Sequence, residues 1–298
     1  MLREVLEYLA VRKGGTYLDL TAGLGGHSKH IAALLDSGNH SGSTPAGTLV
    51  MNDRDGESLA IAIENTKEFA SVIKPTQGVF STIPERLKAM NIDSIDGVLV
   101  DLGVSMKQLT EAERGFSFRL DGPLDMRMSR DDKDSLTAAD VVNTFSEQDL
   151  ANILYEYGQE GASRAIARAV VRRERPIHTT QHLARVVESV LPRHSKISPA
   201  TKTFMALRLF VNREMQELEA LLASLPRFLA PGARVVFLTF MSTEDRIVKR
   251  AFQAFQKEGL AKILTKHVVK PSDEETRTNP ASRSAKLRAL SWGNLETV

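Results

Sequence analysis

A chain of 298 residues is long enough for one large α/β domain with an insertion. At 42% hydrophobic and 26% charged it has ordinary globular composition, and no run nears the roughly 18 apolar residues of a membrane helix. The chain has no Cys, which excludes disulfides, a thiolate nucleophile and Cys-held metal, and the net charge of only +2 excludes a uniformly basic surface.

Residues 1–15 mix Glu with Arg and read as a helix, not as a secretion signal or transit peptide. This suits a cytoplasmic protein, with a mitochondrial or plastid matrix as the alternative. A strand at 16–20 runs into a glycine-rich turn, 21–26, and a helix at 27–35. Gly, Ser and Pro make 36–47 a loop. Then come a strand at 48–52 ending at Asp53, a helix at 57–69, a strand at 75–80, a helix at 83–90 and a strand at 97–100 ending in Asp101. This alternation predicts a parallel, doubly wound sheet.

The next strand, 233–240, lies too far along the chain for a single crossover. The gap reads as helices at 135–142, 146–155, 163–174, 180–190 and 201–225, the last with Ser198 as N-cap and Pro199 at N1. Taking 201–225 as the crossover back to the sheet gives three parts: 1–105 and 200–298 as a Rossmann-like domain, and 106–199 as an inserted helical subdomain. A helix at 243–258 and strands at 261–269 and 285–292 close the chain. Between Gly161 and Arg213 eleven Lys/Arg face two acids, Glu174 and Glu188, a balance of +9 that suggests a polyanionic partner. The seven His are scattered without helical metal-site spacing, so no metal is expected.

The chemistry concentrates at the strand ends. Gly23, Gly25 and Gly26 let the backbone turn sharply and let a ligand approach without Cβ interference. Asp53, ending the second strand, can accept from ribose hydroxyls. Asp19, Asp53 and Asp101 form an acidic ring, with no Lys or Arg in the glycine turn. NAD needs its pyrophosphate cradled on helix amides, whereas S-adenosylmethionine carries a cationic sulfur that tolerates carboxylates. The ring favours S-adenosylmethionine; NAD remains the competing ligand, and Asp19 and Asp53 as simple caps the bland alternative.

Beyond the ring, the chain resembles the MraW/RsmH family. The likeness rests on Asp101-Leu-Gly-Val-Ser105 with Gln108, on 112–118 (Ala-Glu-Arg-Gly-Phe-Ser-Phe) and on 121–128 (Asp-Gly-Pro-Leu-Asp-Met-Arg-Met). It continues through 137–143, Tyr157-Gly158, 166–168, 203–212, 244–249, Asn279-Pro280 and 283–288, nearly the whole chain. The resemblance implies a class I S-adenosylmethionine-dependent methyltransferase with an inserted helical domain. It also implies methylation of the exocyclic N4 of a decoding-centre cytidine in small-subunit ribosomal RNA. Cofactor contacts carry over to Gly25, Gly26, His27, Asp53, Phe80, Asp101 and Gln108. The chain departs from the pattern at Met106, Gln159, Met205 and Met241, the last in place of a His, and starts after a usual His-x-Pro-Val segment. These departures motivate an alternative, an RNA-binding assembly factor of the small subunit with weak or no turnover.

Methyl transfer to an amine is an in-line displacement, so orientation and a proton acceptor are what the site must supply. Asp101 is the candidate for that role. A base in RNA must be splayed out to be reached; Phe116 and Phe118, with Asp125 and Arg127 nearby, are candidate walls for it, or else core anchors. Arg164, Arg168, Arg172 and Arg175 recur at helical spacing with no acid before Glu174, a candidate phosphate track. Partners are thus small-subunit ribosomal RNA or the assembling subunit, with no membrane; a homodimer stays open.

Overall fold

The computed structural model describes residues 1–36, 46–131, 135–191 and 198–293. Most of the expected 36–47 loop lies outside these, as do Arg193, Lys196 and the side chain of Arg173. The chain forms two compact units, Met1–Gly103 with Gln216–Val298, and Val104–Met215.

The first unit is built on α1 (Leu2–Leu9), β1 (Thr16–Asp19), α2 (Gly26–Asp36), β2 (Thr48–Asp53), α3 (Gly56–Asn65), β3 (Ile73–Gln77), α4 (Ile83–Ala89) and β4 (Ile95–Asp101). Its seven strands lie in the order β3-β2-β1-β4-β5-β7-β6, where β5 is Leu229–Thr239, β6 Ala261–Ile263 and β7 Lys286–Trp292. Strands β1 to β5 pair in parallel, and β7 runs antiparallel to both β5 and β6. This is the Rossmann-like, doubly wound sheet expected, with an antiparallel strand, β7, lying between β5 and β6. Helices cover both faces, so the central strands are apolar continuously rather than alternately: Val98, Leu99 and Val100 of β4 and Val235, Val236 and Phe237 of β5 are fully buried. The strand order reverses between β1 and β4, the place where open α/β sheets leave a crevice at their carboxyl edge.

The second unit opens with α5 (Met106–Thr110) and packs α6 (Ala138–Thr144), α7 (Glu147–Gly158), α8 (Ser163–Ala169), α9 (Thr180–Val190) and α10 (Ala200–Val211) around one core that includes Val141, Leu154, Ile166, Leu183 and Leu207. The segment 112–128 is pinned inside it. Gly115 sits at φ +72°, and a Cβ there would lie 2.3 Å from the Pro123 carbonyl oxygen, so only Gly fits. The buried Arg114 guanidinium donates to the carbonyls of Arg127 (3.2 Å) and Met128 (2.7 Å).

Several boundaries differ from expectation. The helix expected at 201–225 is two, α10 and α11 (Glu214–Ser224), broken where Arg213 adopts φ 52°. Asn212 causes the break: its buried amide donates to Met126 O (2.7 Å) and Arg208 O (2.8 Å) and accepts from Met128 N–H (2.7 Å). Consequently α10 belongs to the inserted unit, which ends at Met215 and not at 199. The strand expected at 75–80 runs instead from Ile73 to Gln77, its last ladder bond to β2 being Gly78 N–H to Asp53 O (3.0 Å). The strand expected at 261–269 is three residues long, followed by a single bridge from Val269 to Leu287.

Candidate active site

The carboxyl edge of β1, β2 and β4 gathers three acids. Asp19 ends β1 and is buried; its oxygens accept from Thr21 N–H (3.1 Å) and Ser28 Oγ (2.6 Å). Asp53 ends β2 and accepts from Gly23 N–H (2.8 Å) and Asp55 N–H (2.9 Å). Asp101 ends β4; its backbone N–H donates to Thr21 Oγ1 (2.7 Å), which ties the glycine turn to β4. Burial pushes all three carboxyls up, Asp19 to about 6 and Asp101 to about 7, the latter also raised by the charge of Asp19.

Among the three acids Asp101 differs in having a buried oxygen with no partner at all. Its Oδ1 is buried and has no hydrogen-bond partner among the described residues, and Oδ2 lies 3.5 Å from His27 Nδ1 on α2. Burial depresses His27 to about 4, so the imidazole is neutral at pH 7 and leaves the edge acidic. A buried acceptor without a donor is costly, and a cationic ligand, or a donor N–H, offsets that cost.

The turn between β1 and α2 is shaped for close approach. Gly23 and Gly25 have φ of +52° and +90°, and a Cβ on Gly25 would meet the backbone of Ala62 at 3.2 Å; one on Gly26 would meet nothing within 4 Å. Asn52, fully buried, donates from Nδ2 to Leu20 O (3.1 Å) and Gly78 O (3.1 Å), joining the ends of β1 and β3. Phe80 follows two residues later, half-buried. Glu244, buried in the first turn of α12 (Ser242–Lys257), accepts from Phe240 N–H (3.0 Å) and Met241 N–H (3.1 Å) and fixes the turn after β5.

The sequence profile of the MraW methylase family matches residues 1–292. The chain belongs to this family. It is 49% identical over 290 residues to the ribosomal RNA small subunit methyltransferase H of Solibacter usitatus, covering 97% of each chain. It is 45% identical over 295 residues to the protein of that name from Acidobacterium capsulatum, covering 97% of this chain and 96% of the relative. Among solved structures it is similar to an rRNA methylase from Streptococcus thermophilus, at 9% identity and TM-score 0.45 over 98% of this chain and 96% of that one.

Of the contacts implied by likeness to the MraW family, Gly25, Gly26, His27, Asp53, Phe80 and Asp101 all lie at the carboxyl edge of the sheet unit. Gln108 lies in the inserted unit, where it is buried and caps α5: its Oε1 accepts from Ser105 N–H (3.0 Å). Phe116 is in that unit's core, with the Arg114 guanidinium 6.0 Å from its ring, so it is a core anchor and offers no stacking wall. Phe118 is half-buried and packs edge-on against Phe204 at 4.9 Å. Arg127 closes a two-toothed pair with Asp125 (2.8 and 3.0 Å). Burial would raise the Asp125 carboxyl, but these bonds outweigh it and hold it below its ordinary value.

The arginine stripe needs correction. Arg164, Arg168 and Arg172 are exposed, yet Glu147, at the start of α7, lies 3.5 Å from Arg168 Nε and 2.7 Å from Arg172 Nε. Arg175 donates to the carbonyls of Val142 (2.7 Å) and Phe145 (2.5 Å) instead of facing solvent. An acid 21 to 25 positions earlier in the chain thus relieves a run that looks uncompensated in sequence. Asn52, Thr21 and Glu244 were not anticipated as site-building residues. A polar residue within an otherwise apolar strand end, as at Asn52, is the signal that marks them.

Proposed function

We propose that the chain transfers a methyl group from S-adenosylmethionine to the exocyclic N4 amine of a decoding-centre cytidine in small-subunit ribosomal RNA, in the cytoplasm. The observation that carries this reading is the open, buried acceptor on Asp101 beside a glycine turn free of cations. The names of the relatives support the RNA substrate.

S-adenosylmethionine supplies an electrophilic methyl carbon on a cationic sulfur. Asp53, which accepts from the backbone N–H groups of Gly23, Asp55 and Arg54, keeps capacity for one further donor such as a ribose hydroxyl, and the Gly25–Gly26 backbone admits the donor without a Cβ in its way. The acids at the ends of β1 and β4 suit the positive sulfur. The cytosine amine is a poor nucleophile because its lone pair is delocalised into the ring, so holding it in line contributes most. Asp101, with its carboxyl raised to about 7, is matched to accept the departing N4 proton at neutral pH. The non-catalytic alternative gains no support at the strand ends, since Glu244 holds the Met241 turn with two backbone bonds.

A cationic donor favours the ionised forms of Asp19 and Asp101, which are partly protonated near pH 6. Binding therefore releases protons there, and affinity rises from about pH 5 to about pH 8 before levelling. Calorimetric titration in buffers of differing ionisation enthalpy measures this release; a pH-independent affinity would contradict a donor placed on these acids.

The Arg168–Arg172 stripe retains a net charge above that of Glu147 and takes part in RNA binding. Reversing both charges is expected to weaken RNA affinity and flatten its salt dependence, whereas Glu147→Gln is expected to do the opposite. Salt titrations of RNA binding check both, and unchanged slopes remove the stripe from the interface.

A further inference from the structure

We propose that the outer face of α12, with the cleft beside it, is a track for the phosphate backbone of the RNA substrate. The proposal rests on the ribosomal RNA reading above and assigns that RNA a surface on the sheet unit itself.

At about 100° per residue, Arg246, Lys249, Arg250, Gln253 and Lys257 fall within an arc of about 100°, and all five are exposed. The two acids of the helix's first turn make no ion pair with them, although the charge of Asp245 reaches Lys249 one turn on. Glu244 is buried against the Phe240–Met241 backbone. Asp245 is taken by Arg288 (2.7 Å) and Lys286 (3.8 Å), reached from β7. Among the described residues none of the four cations on this face has a carboxylate within 4 Å, in contrast to the Glu147-paired stripe of α8. A merely solvated helix face tends to mix signs at i,i+4. Here Arg246 and Arg250 repel each other at that spacing, a cost that a polyanion removes.

The second observation is a cleft of about 60 Å³ along this face, to which Lys249 and Gln253 contribute from α12, Lys266 from the loop after β6, and Arg288 from β7. Two elements thus bring the cations Lys249 and Lys266 to one small concavity that Gln253, Phe252 and Ile263 also line, while Arg288 there is held by Asp245; two ammonium groups beside an amide suit a phosphodiester. Position is the third. The helix leaves the carboxyl end of β5, which pairs with β4 so that Leu238 lies opposite Asp101. From Arg246 to Lys257 the stripe extends about 16 Å away from that edge, so a strand whose target base sits at Asp101 continues along it.

The test uses the full chain and a small-subunit ribosomal RNA fragment containing the target cytidine. Lys249→Glu with Lys266→Glu is expected to weaken RNA binding at least about tenfold, and Lys249→Gln with Lys266→Gln less. Each pair is expected to lower the slope of log affinity against log salt by about 1.4, at about 0.7 per lost single-strand phosphate contact. S-adenosylmethionine affinity and the rate at saturating RNA stay at wild-type values, so KM for RNA rises alone. Wild-type slopes in both variants, with the wild-type chain binding and methylating the RNA, would overturn this track and leave the functional reading intact. Loss of affinity for assembled subunits but not for naked RNA would assign the face to a protein and overturn it equally. A wild-type chain that neither binds nor methylates the RNA would end both proposals.

Discussion

Replacing Asp101 by Asn is expected to slow methyl transfer by at least about a hundredfold, the lower end of what a positioned proton acceptor contributes. The wild-type single-turnover rate is expected to rise with pH and level below about 7, because only ionised Asp101 accepts the proton and the bound cationic donor draws its carboxyl down from the ligand-free value of about 7. Asn keeps an oxygen at the same place but has no proton affinity, so the variant loses the pH dependence together with the rate. Stability moves the other way. The folded-state value of Asp101 lies above the ordinary 3.8, so stability present at low pH is lost as pH rises through about 7. Asp101→Asn removes that loss, and its melting temperature at pH 8 is expected to equal or exceed that of the wild type. Single-turnover rates across pH and melting curves measure both; a variant with wild-type rate and pH profile would remove Asp101 from the chemistry.

Gly25→Val is expected to weaken S-adenosylmethionine binding by about ten- to a hundredfold, the equivalent of about 1–3 kcal/mol of backbone strain at a position requiring positive φ. Gly25 sits at φ +90°, and its missing Cβ faces the Cα and carbonyl oxygen of Ala62 at 3.2 Å, backbone atoms of α3 that cannot rotate away. A β-branched residue there must shift the turn that carries Gly23 N–H onto Asp53 (2.8 Å) and aligns Thr21 with Asp101 (2.7 Å). Gly26→Ala, whose Cβ meets nothing within 4 Å, is expected to fold as the wild type and so reads ligand approach separately from strain. Calorimetric affinity with far-ultraviolet circular dichroism checks both variants, and tight binding by Gly25→Val would show that the turn does not form the donor site.

The sheet was legible because its signals are local. Apolar runs such as 98–100, each ending in a carboxylate, mark buried parallel strands and their carboxyl edge at once, and Gly25 marks the turn that only Gly permits. What sequence hid was decided by partners far along the chain. Glu147 compensates Arg168 and Arg172 from another helix. Asn212 breaks a continuous helical pattern because its amide finds Met126 and Met128 more than 80 positions away. Phe116, attractive as a stacking wall, is drawn into the core beneath the buried Arg114, itself a residue that local pattern places at the surface. Buried polar groups escape period-based reasoning for the same reason: their burial is set by tertiary hydrogen bonds, not by spacing.

Incubating the chain with methyl-labelled S-adenosylmethionine and unmethylated small-subunit ribosomal RNA, followed by digestion and nucleoside mass spectrometry, tests the central claim most directly. The label is expected in N4-methylcytidine, and its appearance is expected to be lost in Asp101→Asn. Label in any other nucleoside, or unlabelled RNA despite donor binding at the strand-end acids, would contradict it.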